Sequence, residues 1–320
     1  MASPNSTALV TGGAGFIGHH IVHALVQNGC KVRVLDDLST GDVSRLKDVP
    51  SVELIQASIL DSQNLAYAMR NVDVVFHHAA MVSVPQSVER PLEYHEVNAT
   101  GTLRVLEAAR AAGVRRVIYA ATSAAYGDEP TQPKREDLRT LPLSPYAVSK
   151  LTGEMYVSAY ARLHRMHTIS LRYFNVFGPG QNPQSQYGAA IPSIVSRILQ
   201  NLPPTIYGDG QQTRDFCFVE NVVQANLLAA HARTLDGWSV NIACGQRISV
   251  NDIVHTANRF LGTNVEPVYA PVRAGDVRDS QADISLARQL LGYQPVVSFE
   301  EGMKRSVAWY RRLTADTVAA

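Results

Sequence analysis

A chain of 320 residues, 46% apolar and 18% charged, can bury one large core or two fused ones, and its net charge of +1 excludes a polycationic surface for nucleic acid or acidic membrane. Three widely spaced cysteines (Cys30, Cys217, Cys244) offer no C-x-x-C or Cys/His ligand spacing, so neither a disulfide framework nor a metal site is expected. The sequence carries neither a basic-plus-apolar leader nor an apolar run of about 18 residues, and the reducing cytoplasm is the expected compartment.

The first apolar run, 7–11, leads directly into Gly12-Gly13-Ala14-Gly15-Phe16-Ile17-Gly18, and Ile21, Val22, Ala24 and Leu25 then follow at helical spacing. Strand, glycine turn and helix are the context of a dinucleotide loop. Gly12 permits the tight turn, Gly15 lets the backbone approach a pyrophosphate, and Gly18 lets helix and strand pack closely. The helix N-terminus then faces the phosphates. The G-x-x-G-x-x-G spacing differs from the commoner dehydrogenase form and is weak evidence alone.

A second strand, 31–35, ends in Asp36-Asp37. A carboxylate about 20 residues past the glycines binds ribose hydroxyls and repels a 2′-phosphate, which favours NAD over NADP. The alternative is two aspartates capping a turn.

Strands at 52–55 and 72–76 flank an amphipathic helix carrying Leu65, Ala68 and Met69. His77-His78 follow, with no third ligand in register; burial at a strand end is the expected role. One long helix is expected over 91–112, containing Asn98 and ending at Gly113. Strand 117–121 comes next, and then Thr122-Ser123-Ala124-Ala125-Tyr126-Gly127.

Ser144 and Pro145 suit the N-cap and first position of a helix running to about 163. Tyr146 and Lys150 then share one face, a turn apart. A free tyrosine titrates near 10. A neighbouring ammonium and the helix dipole are expected to favour its phenolate, with the Thr122 hydroxyl sharing the proton. Such a pair deprotonates an alcohol while another group takes hydride, although Y-x-x-x-K alone also arises by chance.

Alternating strands and helices specify an α/β fold, a doubly wound parallel sheet covered on both faces. Its ligands bind at the carboxyl ends of the strands, where residues 12–18, Asp36, His78 and Thr122 fall. After strand 168–172 the texture becomes loop-rich. We expect a nucleotide-binding domain over 1–174 and a smaller mixed α/β region over 175–320, with about 213–245 returning to the first.

Taken together, the glycine loop, Leu35-Asp36-Asp37-Leu38, Thr122 with Tyr126-Gly127, Tyr146-x-x-x-Lys150, Arg172-Tyr173-Phe174-Asn175, Thr213-Arg214-Asp215-Phe216 and Arg273-x-Gly275-Asp276 resemble the extended short-chain dehydrogenase/reductases. Within that Rossmann-fold family the resemblance is to the UDP-sugar 4-epimerases, and it spans nearly the whole chain. It implies a tightly held NAD that stores hydride. Tyr146, assisted by Thr122, deprotonates the sugar 4-hydroxyl; the 4-keto sugar turns over about its diphosphate link, and C4 returns inverted. Lys150 is implied to hold the nicotinamide ribose and to lower the Tyr146 pKa.

The same resemblance implies cofactor contacts from Gly12, Gly15, Phe16, Ile17, Gly18, Asp36, Asp37, Ile59, Ala79, Asn98 and Tyr173, besides Tyr146 and Lys150. Ser58 stands where the family has an acid that meets adenine, which implies a weaker grip there. Substrate contacts are implied for Ser83, Ser123, Ala124, Asn175, Ala189, Ala190, Arg214, Arg273, Asp276 and Ser280, with Tyr207 against uracil. Ser123 and Ala124 occupy positions where the dehydratases and decarboxylases of this fold carry acids.

Ser280 replaces the tyrosine of epimerases restricted to UDP-glucose and UDP-galactose. With the small Ala189 and Ala190, it implies room for a 2-acetamido group and hence UDP-GlcNAc/UDP-GalNAc, with the non-acetylated pair as possible second substrates. The competing readings are an epimerase or reductase for another nucleotide sugar, such as a UDP-hexuronate, and a non-catalytic nucleotide-binding module. A homodimer through helices near 91–112 and 145–163 is a further implication. Leu103, Leu106, Leu151, Met155 and Val157 serve equally well as core in that reading.

Overall fold

The computed structural model describes residues 6–183, 190–233, 235–272 and 278–319, with side chains through 314. In chain order its first part comprises β1 (Thr7–Thr11), α1 (Phe16–Gln27), β2 (Lys31–Asp36), β3 (Glu53–Gln56), α2 (Ser62–Ala68), β4 (Val74–His77), α3 (Val84–Glu89), α4 (Pro91–His95), α5 (Gly101–Ala111), β5 (Arg116–Thr122), α6 (Pro145–His164) and β6 (His167–Tyr173). These strands are apolar on both faces because both faces are covered. Ala8 and Val10 pack into one core cluster and Leu9 into the other; Phe76 and Val75 divide in the same way.

The chain continues through β7 (Val176–Phe177), α7 (Ala190–Leu199), β8 (Thr205–Tyr207), β9 (Thr213–Arg214), β10 (Cys217–Phe218), α8 (Val219–His231), β11 (Trp238–Ile242), β12 (Ile248–Ser249), α9 (Val250–Leu261), β13 (Val268–Ala270), β14 (Asp279–Ser280), α10 (Ser285–Leu291) and α11 (Phe299–Ala319). The main sheet has seven strands in the order β11-β6-β5-β4-β1-β2-β3, all parallel. Strand order reverses between β1 and β4, and ligands of open α/β sheets bind at such a switch point. Beside the sheet lies a third core, in which the Phe177 ring meets Phe218, Phe299 and Phe216 at 5.5, 5.8 and 6.2 Å between centroids.

One expectation changes. The helix over 91–112 is not uniform, because residues Glu96–Thr100 form a π-turn between α4 and α5. The wider turn brings the Asn98 side chain inward, where it reaches the Met81 backbone. Among the described residues, no helix is long and apolar enough to cross a membrane.

Candidate active site

The switch point holds the glycine loop. Gly12 has φ +71°, and a Cβ there would lie 2.6 Å from the Ala79 nitrogen at the end of β4. At Gly18 a Cβ would run into the Gly12 carbonyl, and at Gly13 into the Val34 methyls, so Gly13 is a third required glycine that motif reading passes over. The space above Gly15 is open apart from the Gly12 oxygen at 3.1 Å. Gly15 caps α1 without a side chain, and the first turn, which contains Phe16 and Ile17, has no acid. Uncapped helix N–H groups at the positive end of the dipole suit a pyrophosphate.

The Asp36 carboxylate is buried at the end of β2 and accepts the backbone N–H groups of Ala14 and Leu38, both at 2.9 Å. It therefore ties the glycine loop to the β2 end and retains lone pairs for a ribose. Asp37 is exposed, and its carboxylate accepts the Ser39 N–H at 2.9 Å and the Ser39 hydroxyl at 2.6 Å. Both aspartates thus cap a turn two residues on, and Asp36 in addition holds the glycine loop through Ala14. Ser58 Oγ accepts the Leu60 N–H at 3.2 Å, and Ile59 is buried against Gly101.

His77 is buried between Thr11 (2.7 Å) and Thr102 (3.0 Å), and His78 bonds the Tyr173 hydroxyl at 2.9 Å with the rings stacked. Tyr173 also accepts from Asn226 at 2.8 Å. Burial, with Lys150 nearby, pushes His78 down to about 3, so its imidazole is neutral. Ala79 donates its N–H to Thr11 at 3.3 Å. Asn98, implied as a cofactor contact, is a clamp. Its Oδ1 accepts the Met81 N–H at 2.8 Å, and its Nδ2 donates to the Met81 carbonyl and Ser149 Oγ at 2.9 and 3.1 Å. Both amide ends are engaged because the π-turn points them at the loop after β4.

Ser144 caps α6 by accepting the Ala147 N–H, with Pro145 in the first turn, and this delivers Tyr146 and Lys150 to the C-terminal end of β5. There the Thr122 oxygen accepts the Ala124 N–H at 3.1 Å, holding the single turn Ser123–Tyr126, and the Thr122 side chain is the group that pulls the Tyr146 phenol down against its burial. Lys150 is buried, with Nζ 4.3 Å from the Tyr119 ring centroid.

The electrostatics correct the expected pKa pattern. Burial pushes the Tyr146 phenol above its ordinary value, and the Thr122 hydrogen bond is the opposing pull. Burial likewise takes Lys150 down to about 7, against a rise from Glu154. Desolvation penalises both charged forms, so burial works against the Tyr146 phenolate and the Lys150 ammonium alike, and Thr122 and Glu154 are the groups that oppose it.

Two of the substrate-side residues share a small three-stranded sheet, and the others lie on separate elements. Ser280 on β14 pairs in register with Arg214 on β9. Arg214 donates to the Thr213 and Arg278 carbonyls at 2.9 and 3.1 Å, and Asn175 Nδ2 reaches the Asp215 carbonyl at 3.4 Å. Tyr207 ends β8, and Ala190 opens α7. Ser83 caps α3, and its N–H donates to the Tyr94 hydroxyl at 3.0 Å. Ala189, Arg273 and Asp276 lie outside the described residues.

Residues 8–243 match the family described as NAD dependent epimerase/dehydratase. The chain belongs to that family. It is 38% identical over 308 residues to the putative UDP-glucose 4-epimerase of Methanocaldococcus jannaschii, covering 95% of this chain and 98% of that one. The UDP-N-acetylglucosamine 4-epimerase of Methanobrevibacter ruminantium M1, solved with UDP-N-acetylmuramic acid, is 36% identical with a TM-score of 0.93 (97% and 99% covered). The UDP-glucuronic acid 4-epimerase of Bacillus cereus, solved with UDP-glucuronic acid and NAD, is 30% identical with a TM-score of 0.89 (96% and 99% covered). The chain is accordingly an NAD-using enzyme of the epimerase type, and the uncapped α1 terminus and the Gly12–Gly18 cradle fit that cofactor.

Asp215 is a family-motif residue to which the sequence assigns no task. It is fully buried, and its carboxylate accepts N–H groups of Cys244, Gly245 and Ala282 at 2.9, 2.9 and 3.1 Å. Burial pushes it up to about 6 while those donors pull it down. It ties two distant segments, 244–245 and 282, to the strand end beside Arg214, a function only their convergence reveals.

Proposed function

We propose that this enzyme inverts C4 of a UDP-hexose and that UDP-GlcNAc/UDP-GalNAc is its preferred pair. NAD, bound at the glycine loop, supplies reversible hydride acceptance. The chain's own residues do the rest. Tyr146, as its phenolate, takes the proton of the 4-hydroxyl and later returns it, and Thr122 stabilises the phenolic oxygen while it carries the negative charge. Lys150 holds the nicotinamide ribose. Arg214 and Asn175 grip the diphosphate, since a guanidinium meets phosphate oxygens bidentately. The substrate preference rests on the small Ser280 side chain beside Arg214, which leaves volume next to the sugar.

The test is product identification by NMR after incubation with UDP-GlcNAc and with UDP-glucose. The parent enzyme is expected to turn over the acetylated pair with the higher kcat/KM, and Ser280→Tyr to lose that pair by at least tenfold while retaining UDP-glucose. Activity of the parent confined to UDP-glucose and UDP-galactose, or an undiminished Tyr146→Phe variant, overturns the reading. We also propose a homodimer, supported by the exposed Val148, Met155 and Leu163 on α6 and Leu92 on α4.

A further inference from the structure

Lys150 is buried to 4% exposure in a pocket where an ammonium is costly, yet Tyr119 offers its ring face and Glu154 lies one turn further along the same stripe of α6. Glu154 is itself only 5% exposed. A carboxylate so buried would take up a proton unless paired. Arg172, at the end of β6, grips it through Nε and Nη2 at 3.0 and 2.5 Å, and the guanidinium rests 4.8 Å from the Tyr126 ring centroid. Tyr126 is fixed in turn by Asn241 at 2.8 Å. The ion pair thus sets a buried carboxylate one helical turn from Lys150 on α6, with its guanidinium partner on β6.

We infer that Glu154, fixed by Arg172, is a positioning residue that keeps Lys150 an ammonium at the cofactor site. The inference rests on the assignment of Lys150 to the nicotinamide ribose. The other groups that face Lys150 do not do this work. His77 and His78 on β4 are neutral imidazoles, each pushed down by burial and by Lys150 itself. On β5 and β6, Tyr119 and Tyr173 are phenols raised by burial, as are Tyr146 on α6 itself, Tyr94 on α4 and Tyr126 in the turn after β5. On the π-turn, Glu96 is half-buried and pairs with Arg104 at 3.6 Å. Glu154 is the group that raises Lys150 against its burial.

The test uses the NAD-loaded enzyme, equilibrated between pH 6 and pH 10, with released NAD measured after ultrafiltration. Retention is expected to fall as rising pH strips the proton from Lys150, and Lys150→Met is expected to abolish that pH-dependent fall. Glu154→Gln leaves the Arg172 charge unopposed and is expected to move the midpoint down by about one pH unit. The double variant Glu154→Gln/Arg172→Met removes both charges and keeps the core filled; its midpoint is expected between parent and single variant. Should the single variant fail to fold, a double-variant midpoint below the parent supports the inference by itself. A Lys150-dependent fall whose midpoint is the same in every folded Glu154 variant overturns the role of Glu154 alone. A fall that persists in Lys150→Met, or no fall in the parent, overturns the Lys150 assignment and the inference together.

Discussion

The Thr122 oxygen accepts the Ala124 N–H, and the same side chain pulls the Tyr146 phenol down against its burial, so one residue both shapes the turn after β5 and tunes the base. Because burial drives that phenol upward, the pull of Thr122 matters most when the oxygen is negatively charged. Thr122→Val is therefore expected to lower kcat by about 10²-fold, with KM changed by less than threefold. Steady-state kinetics on a UDP-hexose check this; a KM effect alone would place Thr122 in binding. At this scale the glycines, Ser144 and Tyr146 were legible in the sequence, because each acts through its own backbone or its helix neighbours. The clamp of Asn98 was not: its partners Met81 and Ser149 lie 17 and 51 residues away.

Among the elements, α6 and the α4–π-turn–α5 unit determine where the chemistry sits. The π-turn departs from an ordinary helix because Asn98 satisfies the Met81 backbone, and the Tyr94 hydroxyl likewise receives the Ser83 N–H. Together they hold the loop after β4 beneath α6. Asn98→Leu keeps the volume and removes the bonds, at an expected cost of about 2–4 kcal/mol. In a protein of this size that corresponds to a Tm lower by roughly 4–8 °C. Thermal unfolding measures it, and an unchanged Tm would show that the clamp contributes nothing. Helical periodicity announced one long element here. It could not announce the π-turn, since the insertion is driven by a loop distant in sequence.

Across the whole molecule, α6 has one face in the core and another in solvent. Leu151 and Val157 are buried, and Leu106 on α5 packs beneath the sheet, whereas Met155 is 60% and Leu92 on α4 is 84% exposed. An apolar surface of that kind supports the proposed homodimer, in which a second copy of the chain would cover it symmetrically. Light scattering is expected to give a dimer for the parent and a monomer for Leu92→Lys/Met155→Lys. A monomeric parent at micromolar concentration would overturn the expectation.

Sequence alone determined the strand–turn–helix order, the glycine cradle, the acid at the end of β2 and the Tyr146/Lys150 spacing. Each of these follows from local sterics or from a fixed helical period. The tertiary fold alone decided that Asn98 and Asp215 knit distant segments, and that Lys150 and the phenol lie in a desolvated site with a buried Glu154–Arg172 pair one helical turn away. Burial and long-range partners set those roles, and neither is written in any short stretch of chain.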